Sequence, residues 1–246
     1  MRILILGGTS EARELAADLT AAGVDILSSL AGQVRQPRLP AGPVRTGGFG
    51  GAAGLSTFLR DEHIGAVIDA THPFAATITA NAAAAATAVG VPRLVLRRPE
   101  WDLDPSWQPV ADIAAAAATV QAWPGEAVFL TTGRRDLAAF AGDDRHRFLV
   151  RTVDPPDPPV PPHMTLVLDR GPYRIDGESE LMRTYGIGLL VTKNSGGSMT
   201  AAKLQAAREA GVEVVVVQRP PVPPGSTVVT TAAEALRWVS SGSAAE

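Results

Sequence analysis

The stretch Ile3-Leu4-Ile5-Leu6-Gly7-Gly8-Thr9-Ser10-Glu11-Ala12 decides the fold. Its four apolar residues read as a short strand buried on both faces. Gly7 and Gly8 end that run, and residues 11–22 carry helical spacing as far as Gly23. A buried strand, a glycine turn and a helix make a phosphate cradle. Glycines let backbone N–H groups come close to an anion, and the helix N-terminus supplies positive potential. Against the G-x-G-x-x-G/A pattern of dinucleotide folds, Gly7 and Ala12 take the first and third positions and Thr9 stands in the middle one. In such a cradle Thr9 and Ser10 add hydroxyl donors for phosphate oxygens, and Gly8 and Glu11 complete the turn. A tight turn that binds nothing is the bland alternative.

Outward from this turn the grammar repeats. Strands are predicted at 24–30, 66–70 and 93–96, and helices around 55–62 and 74–89, the latter stopped by Gly90. The second half gives strands at 127–130, 148–153, 165–168, 189–192 and 212–217. Helices are predicted near 112–122, 135–141, 176–185, 201–210 and 232–239. Steady alternation of this kind predicts an α/β chain of two lobes, with mainly parallel sheets and a cleft between them. Arg97, Arg98, Pro99 and Pro105 interrupt the pattern, which places a dinucleotide-binding domain at 1–98 and a second α/β domain at 99–246. Residues 154–163 are mostly proline and read as a surface loop within the second lobe.

Composition narrows the function classes. The 246 residues are 46% hydrophobic and 19% charged, ordinary for a globular chain, and the net charge of −3 implies no general attraction to nucleic acid. There is no cysteine, which removes disulfides, thiolate nucleophiles and Cys-ligated metals. Residues 3–6 are too short for a signal-peptide core or a membrane span. The expectation is a cytoplasmic protein with neither a nucleic-acid nor a membrane partner, and a monomer is compatible with it.

The second strand bears on the cofactor. Folds that prefer NAD place a carboxylate at its C-terminal end to hold the ribose 2′-OH. Here that end reads Ser28-Ser29-Leu30-Ala31-Gly32-Gln33, with Arg35 close behind. Hydroxyls and a cation favour a 2′-phosphate, hence NADP. Gly47-Gly48-Phe49-Gly50-Gly51 sets four glycines around one aromatic, a loop that lets backbone approach a flat ligand; a flexible surface loop is the alternative. Asp69-Ala70-Thr71-His72-Pro73-Phe74 follows the third predicted strand, and Thr71 and His72 should face the ligand edge of the sheet.

Taken together, these segments resemble the precorrin-6A reductase family of cobalamin biosynthesis. The likeness continues through Arg98-Pro99, Trp101, Leu130-Thr131-Thr132-Gly133-Arg134, Arg170-Gly171-Pro172-Tyr173, Thr192-Lys193-Asn194-Ser195-Gly196-Gly197, 203–208 and Arg219-Pro220, in order across nearly the whole chain. The family often carries Arg where Gln33 stands, and Arg35 is the substitute. The resemblance implies that NADPH delivers a hydride to precorrin-6A, giving precorrin-6B. It also implies Rossmann-like folds in both lobes, a tetrapyrrole substrate in the cleft and no protein-bound metal. A multiply carboxylated macrocycle calls for cations and backbone donors. Arg98, Thr132, Gly133, Arg134, Arg170, Asn194, Ser195 and Gly196 are the candidates for that role, with Arg97, Arg135, Arg151, Arg174 and Arg219 also near predicted strand ends. His72, Tyr173 and Lys193 are the candidates for delivering the accompanying proton, with solvent the alternative.

Three other classes compete. A short-chain dehydrogenase needs Tyr-x-x-x-Lys, which neither Tyr173 nor Tyr185 provides. A non-catalytic NADP sensor leaves the cations of the second lobe without a purpose. A tetrapyrrole methyltransferase would bind S-adenosylmethionine, which titration against NADPH and NADH distinguishes. Replacing Arg35 with Ala is expected to raise the KM for NADPH far more than that for NADH in steady-state assays; equal changes would remove Arg35 from the cofactor site.

Overall fold

The computed structural model describes residues 1–32 and 35–242. The chain divides into two compact units, Met1–Pro99 with Pro220–Glu246, and Glu100–Arg219. In the first, β1 (Arg2–Leu6), β2 (Ile26–Leu30), β3 (Val44–Thr46), β4 (Ile64–Asp69) and β5 (Arg93–Leu96) alternate with α1 (Ser10–Ala21), α2 (Gly51–Asp61) and α3 (Ala76–Val89). In the second, β6 (Gln108–Val110), α4 (Ile113–Ala122), β7 (Ala127–Leu130), β8 (Arg147–Thr152), β9 (Met164–Leu168), α5 (Ile175–Thr184), β10 (Leu189–Lys193), α6 (Ala202–Ala210) and β11 (Glu213–Val217) follow. The chain then returns to the first unit with β12 (Thr227–Val229) and α7 (Ala232–Ser240).

Each sheet has six strands, in the orders β12-β5-β4-β1-β2-β3 and β6-β11-β10-β7-β8-β9, and every pairing among the described residues is parallel. Five strands of each sheet follow the 3-2-1-4-5 order of the doubly wound fold. The sixth differs in origin. β12 arrives from the C-terminal segment to pair with β5, and β6 enters at the start of the second unit to pair with β11.

Alternation along β1 shows why a continuous apolar run suits this position. Ile3 and Ile5 pack with Leu15 and Leu19 of α1 and with Ala235 of α7. Leu4 and Leu6 face the other way, toward Leu55 and Leu59 of α2 and Ala82 and Ala85 of α3. All four residues are at most 2% exposed, and each such burial is worth roughly 1.5–3 kcal/mol relative to exposure. The alanines of α3 bring that helix close to its neighbours. In the second unit Phe129, Leu190, Val214 and Val216 meet Met182 and Leu204 of α5 and α6.

Four expectations change. Residues 135–141 form a 3₁₀ helix, Arg134–Phe140, rather than an α-helix. The strands β3, β6 and β12 leave no mark in the sequence pattern because each has only three residues, too few for an apolar run or an alternation to register. Residues 220–242 pack with the first unit, where the sequence reading assigned everything after 98 to the second, because β12 completes the β5 edge and α7 docks on α1. The predicted strand at 24–30 is shorter, starting at Ile26. The proline-rich 154–163 segment does connect two strands, β8 and β9, within the second unit.

One loop is fixed by a backbone approach. A Cβ on Gly54 would lie 1.8 Å from the Phe49 carbonyl oxygen, so the glycine-rich loop folds onto the start of α2 where only glycine fits. Gly54→Ala is expected to destabilise the fold by about 1–3 kcal/mol through overpacking, measured as a lower urea midpoint at unchanged m-value.

Candidate functional site

In a parallel α/β sheet, ligands bind outside the C-terminal strand ends where the strand order reverses. In the first unit that point lies between β1 and β4, and the structure brings the turn 7–10 and the segment 69–72 there together. Thr9 caps α1. Its Oγ1 accepts the Ala12 N–H at 3.1 Å and donates to the Ala70 carbonyl at 2.8 Å. Its one hydroxyl proton is therefore spent on the residue that follows β4, which corrects the expectation that it serves a phosphate. Thr9 joins the two strand ends instead.

The rest of the turn keeps its cradle geometry. Gly8 has φ +119°, and a Cβ there would meet nothing within 4 Å, so the backbone is open on that side. The first-turn amides of Ser10 and Glu11 have no carbonyl one turn back to bond. The Gly7 amide is held by the Ser29 carbonyl at 2.9 Å, which ties the turn to the end of β2. Open glycine backbone together with a capped helix start fits a dinucleotide pyrophosphate. Glu11 and Arg98, read separately as cofactor and substrate contacts, form one half-buried ion pair at 3.0 Å, and Ser10 Oγ donates to the same carboxylate.

At the end of β2, Ser28 is buried with its hydroxyl unpartnered, whereas Ser29 Oγ accepts a hydrogen bond from Arg45. Gly32 has φ +71° against Thr46, and Arg35 is exposed in the following loop; Gln33 lies outside the described residues. Gly48 and Phe49 stand beside Arg45, which the sequence pattern did not single out. Thr71 donates both its N–H and its hydroxyl to Asp69 Oδ1, at 3.1 and 2.6 Å. His72 is exposed, and its Nδ1 accepts the Phe74 amide at 3.3 Å.

The second unit repeats the arrangement between β7 and β10. Thr131 bonds the Val191 carbonyl through both its amide and its hydroxyl. Thr132 is buried with an unpartnered Oγ1, and Gly133 has φ +97° with open space about it ahead of Arg134. Lys193 forms an ion pair with Asp136 of the 3₁₀ helix at 2.5 Å, both side chains under 20% exposed. Asn194 is spent internally. Its side chain binds the Trp101 amide and Glu100, and its carbonyl accepts from Arg219. The Ser195 amide bonds the Lys193 carbonyl at 2.7 Å, and Gly196 and Gly197 follow with positive φ.

Past β9, Arg170 precedes a turn held from below. Tyr173 stacks on Arg151, ring centroid to Cζ 3.6 Å, and Arg151 makes a two-pronged buried ion pair with Glu178. The phenol donates to the Asp169 carbonyl at 3.2 Å. Burial pushes its pKa up, so it keeps its proton through neutral pH. His72 belongs to the first unit, whereas Tyr173 and Lys193 belong to the second. Asp136 and Glu178 had no signal in the sequence, since nothing in their own neighbourhoods announces a partner 57 or 27 residues away.

Two six-stranded parallel sheets, each with a glycine turn at its reversal point, define a protein of the doubly wound α/β class. Among the described residues no helix is long and apolar enough to cross a membrane. The family model described as Precorrin-6x reductase CbiJ/CobK matches residues 2–240. The precorrin-6A reductase of Rhodococcus erythropolis is 54% identical over 97% of each chain. That of Mycobacterium tuberculosis H37Rv is 51% identical, again over 97% of each. A solved structure titled CobK precorrin-6A reductase superposes with a TM-score of 0.91 at 40% identity, covering 99% of this chain and 98% of that one. The chain belongs to the precorrin-6x reductase family and is an oxidoreductase.

The double role of Thr9 gives a stability test. Thr9→Ala removes a helix cap and a buried hydrogen bond and is expected to cost about 1–3 kcal/mol, while Thr9→Ser retains most of it. Chemical denaturation of the two variants beside the parent measures the difference.

Proposed function

We propose that this enzyme reduces precorrin-6A to precorrin-6B with NADPH, by hydride transfer to the macrocycle. The observation that carries the cofactor half is the glycine turn at the reversal point of the first sheet, open at Gly8 and followed at β2 by serines and cations where an NAD site has a carboxylate. The substrate half rests on family membership and on relatives above 50% identity that are named for precorrin-6A, without cobalt.

Residues 8–11 would hold the pyrophosphate through backbone amides and the α1 N-terminus, with Gly7 and Ala12 fixing the turn at either end, Ser28, Ser29, Gly32 and Arg35 toward the adenosine ribose, and Gly48, Phe49 and Thr71 completing the site. NADPH, when bound, supplies the hydride and both electrons. The protein's part is to bind, orient and exclude water. Arg98, Arg134, Arg170, the Thr132-Gly133 turn and the Gly196 backbone supply cations and donors for the substrate's carboxylates, with Asn194 and Ser195 holding that last turn in place through their own hydrogen bonds.

The reduction also consumes a proton. Lys193 is the best-held candidate donor, because Asp136 fixes its ammonium at the reversal point of the second sheet. Tyr173 keeps its phenol proton, but that proton is engaged by Asp169. His72 is proposed as a site residue at the end of β4.

Incubation with precorrin-6A and NADPH is expected to change the tetrapyrrole spectrum and the NADPH absorbance together, one NADPH per macrocycle. Absence of NADPH oxidation overturns the reading. Lys193→Ala is expected to lower kcat by roughly 10²-fold or more, the range of general acid catalysis. Turnover left intact by Lys193→Ala, Tyr173→Phe and His72→Ala alike would assign the proton to water.

A further inference from the structure

From Ile26 to Arg60 the chain contains four arginines and neither Asp nor Glu. Arg45 is the member of that set built into the sheet. It lies in β3, in register with Ser29 of β2, so its side chain belongs to the C-terminal edge where the second strand ends. Its Nη1 donates to Ser29 Oγ at 2.7 Å and to the Gly47 carbonyl at 3.0 Å, and its Nη2 donates to the Gly48 carbonyl at 3.0 Å. The guanidinium lies over Phe49, 4.0 Å from the ring centroid, with Phe58 5.0 Å away on an edge-to-face pair.

Three of its five N–H groups are spent, every one on a neutral acceptor, and the Nε–H and one Nη2 hydrogen remain. Among the described residues no carboxylate reaches it. Elsewhere in the same unit Arg2 has Asp25 and Glu62, and Arg98 has Glu11. Burial alone lowers the Arg45 pKa, with no opposing acid. A cation partly removed from water, pinned by two backbone carbonyls and an aromatic face, is preorganised for an anion that the protein does not supply.

We infer that Arg45 sets the preference for a 2′-phosphorylated dinucleotide by meeting the ribose 2′-phosphate from β3, alongside the loop residue Arg35. This rests on the reading that the first unit binds NADPH. A phosphate dianion at the β2 end would find the two free N–H groups of a fixed fork, with the hydroxyl of Ser29 held beside it. The stacked Phe49 would then fix the fork at little cost in side-chain freedom.

The test is calorimetric titration of the parent, Arg45→Ala and Arg45→Gln with NADPH, NADH, adenosine 2′,5′-bisphosphate and AMP. The expected result is that both variants bind NADPH and the bisphosphate about 10–100-fold more weakly, the worth of a lost charge-assisted pair, while NADH and AMP change less than about threefold. Equal weakening of phosphorylated and unphosphorylated ligands makes Arg45 a clamp for the glycine loop and overturns the inference, as does an unchanged NADPH affinity. Arg45→Gln keeps a donor for the Gly47 carbonyl, so selectivity is readable even if the alanine variant folds poorly. A parent that shows no preference for NADPH over NADH rejects the cofactor reading itself, a result separate from any change in the variants.

Discussion

Parallel pairing is the constraint from which the rest follows. Two parallel neighbours cannot be joined by a hairpin, so the chain must travel back past the sheet after every strand. With every described strand parallel, all strand starts gather at one edge of each sheet and all strand ends at the other. The turns that leave the strand ends therefore converge without any ligand to gather them. In the first unit the hydroxyl of Thr9 reinforces this by linking the turn after β1 to the carbonyl of Ala70, just past the end of β4. In the second, Thr131 and Val191 perform the corresponding link between β7 and β10.

The two units answer the same geometric problem with different chemistry. The first edge is rich in hydroxyls and exposed glycine backbone, and its cations outnumber its acids after β2. The second edge fixes its charged groups in pairs, Lys193 with Asp136 and Arg151 with Glu178. Pairs withdrawn from water hold their geometry because separating them leaves an uncompensated charge. Their value here is position, with Tyr173 and the 169–174 turn resting on Arg151.

Much of this was legible in the sequence, for a local reason. β1, its glycine turn and α1 are encoded within one unbroken stretch, Arg2 to Ala21, so period and turn chemistry suffice to read them. The longer buried strands announce themselves likewise. The edge strands do not: Gln108-Pro109-Val110 has a proline at its centre and exists because β11 offers it a partner. The site divides along the same line. Gly8, Gly133 and the 195–197 turn could be read from composition, because glycine marks backbone geometry. Thr9 was read as a ligand contact because its acceptor, Ala70, is 61 residues away. Arg45 carries no local mark, because its meaning depends on Ser29, 16 residues earlier, and on the aromatic face that the following loop folds over it.

The provenance of the sixth strands has a consequence for the order of events during synthesis. The unit 100–219 is one uninterrupted segment, and its own first strand, β6, closes its sheet. The first unit is split around it, and its β5 edge stays open until β12 has been made. A ribosome therefore releases a complete inner unit while the outer one still exposes a strand edge, a bare template for mispairing. The unit translated first is the last to be finished.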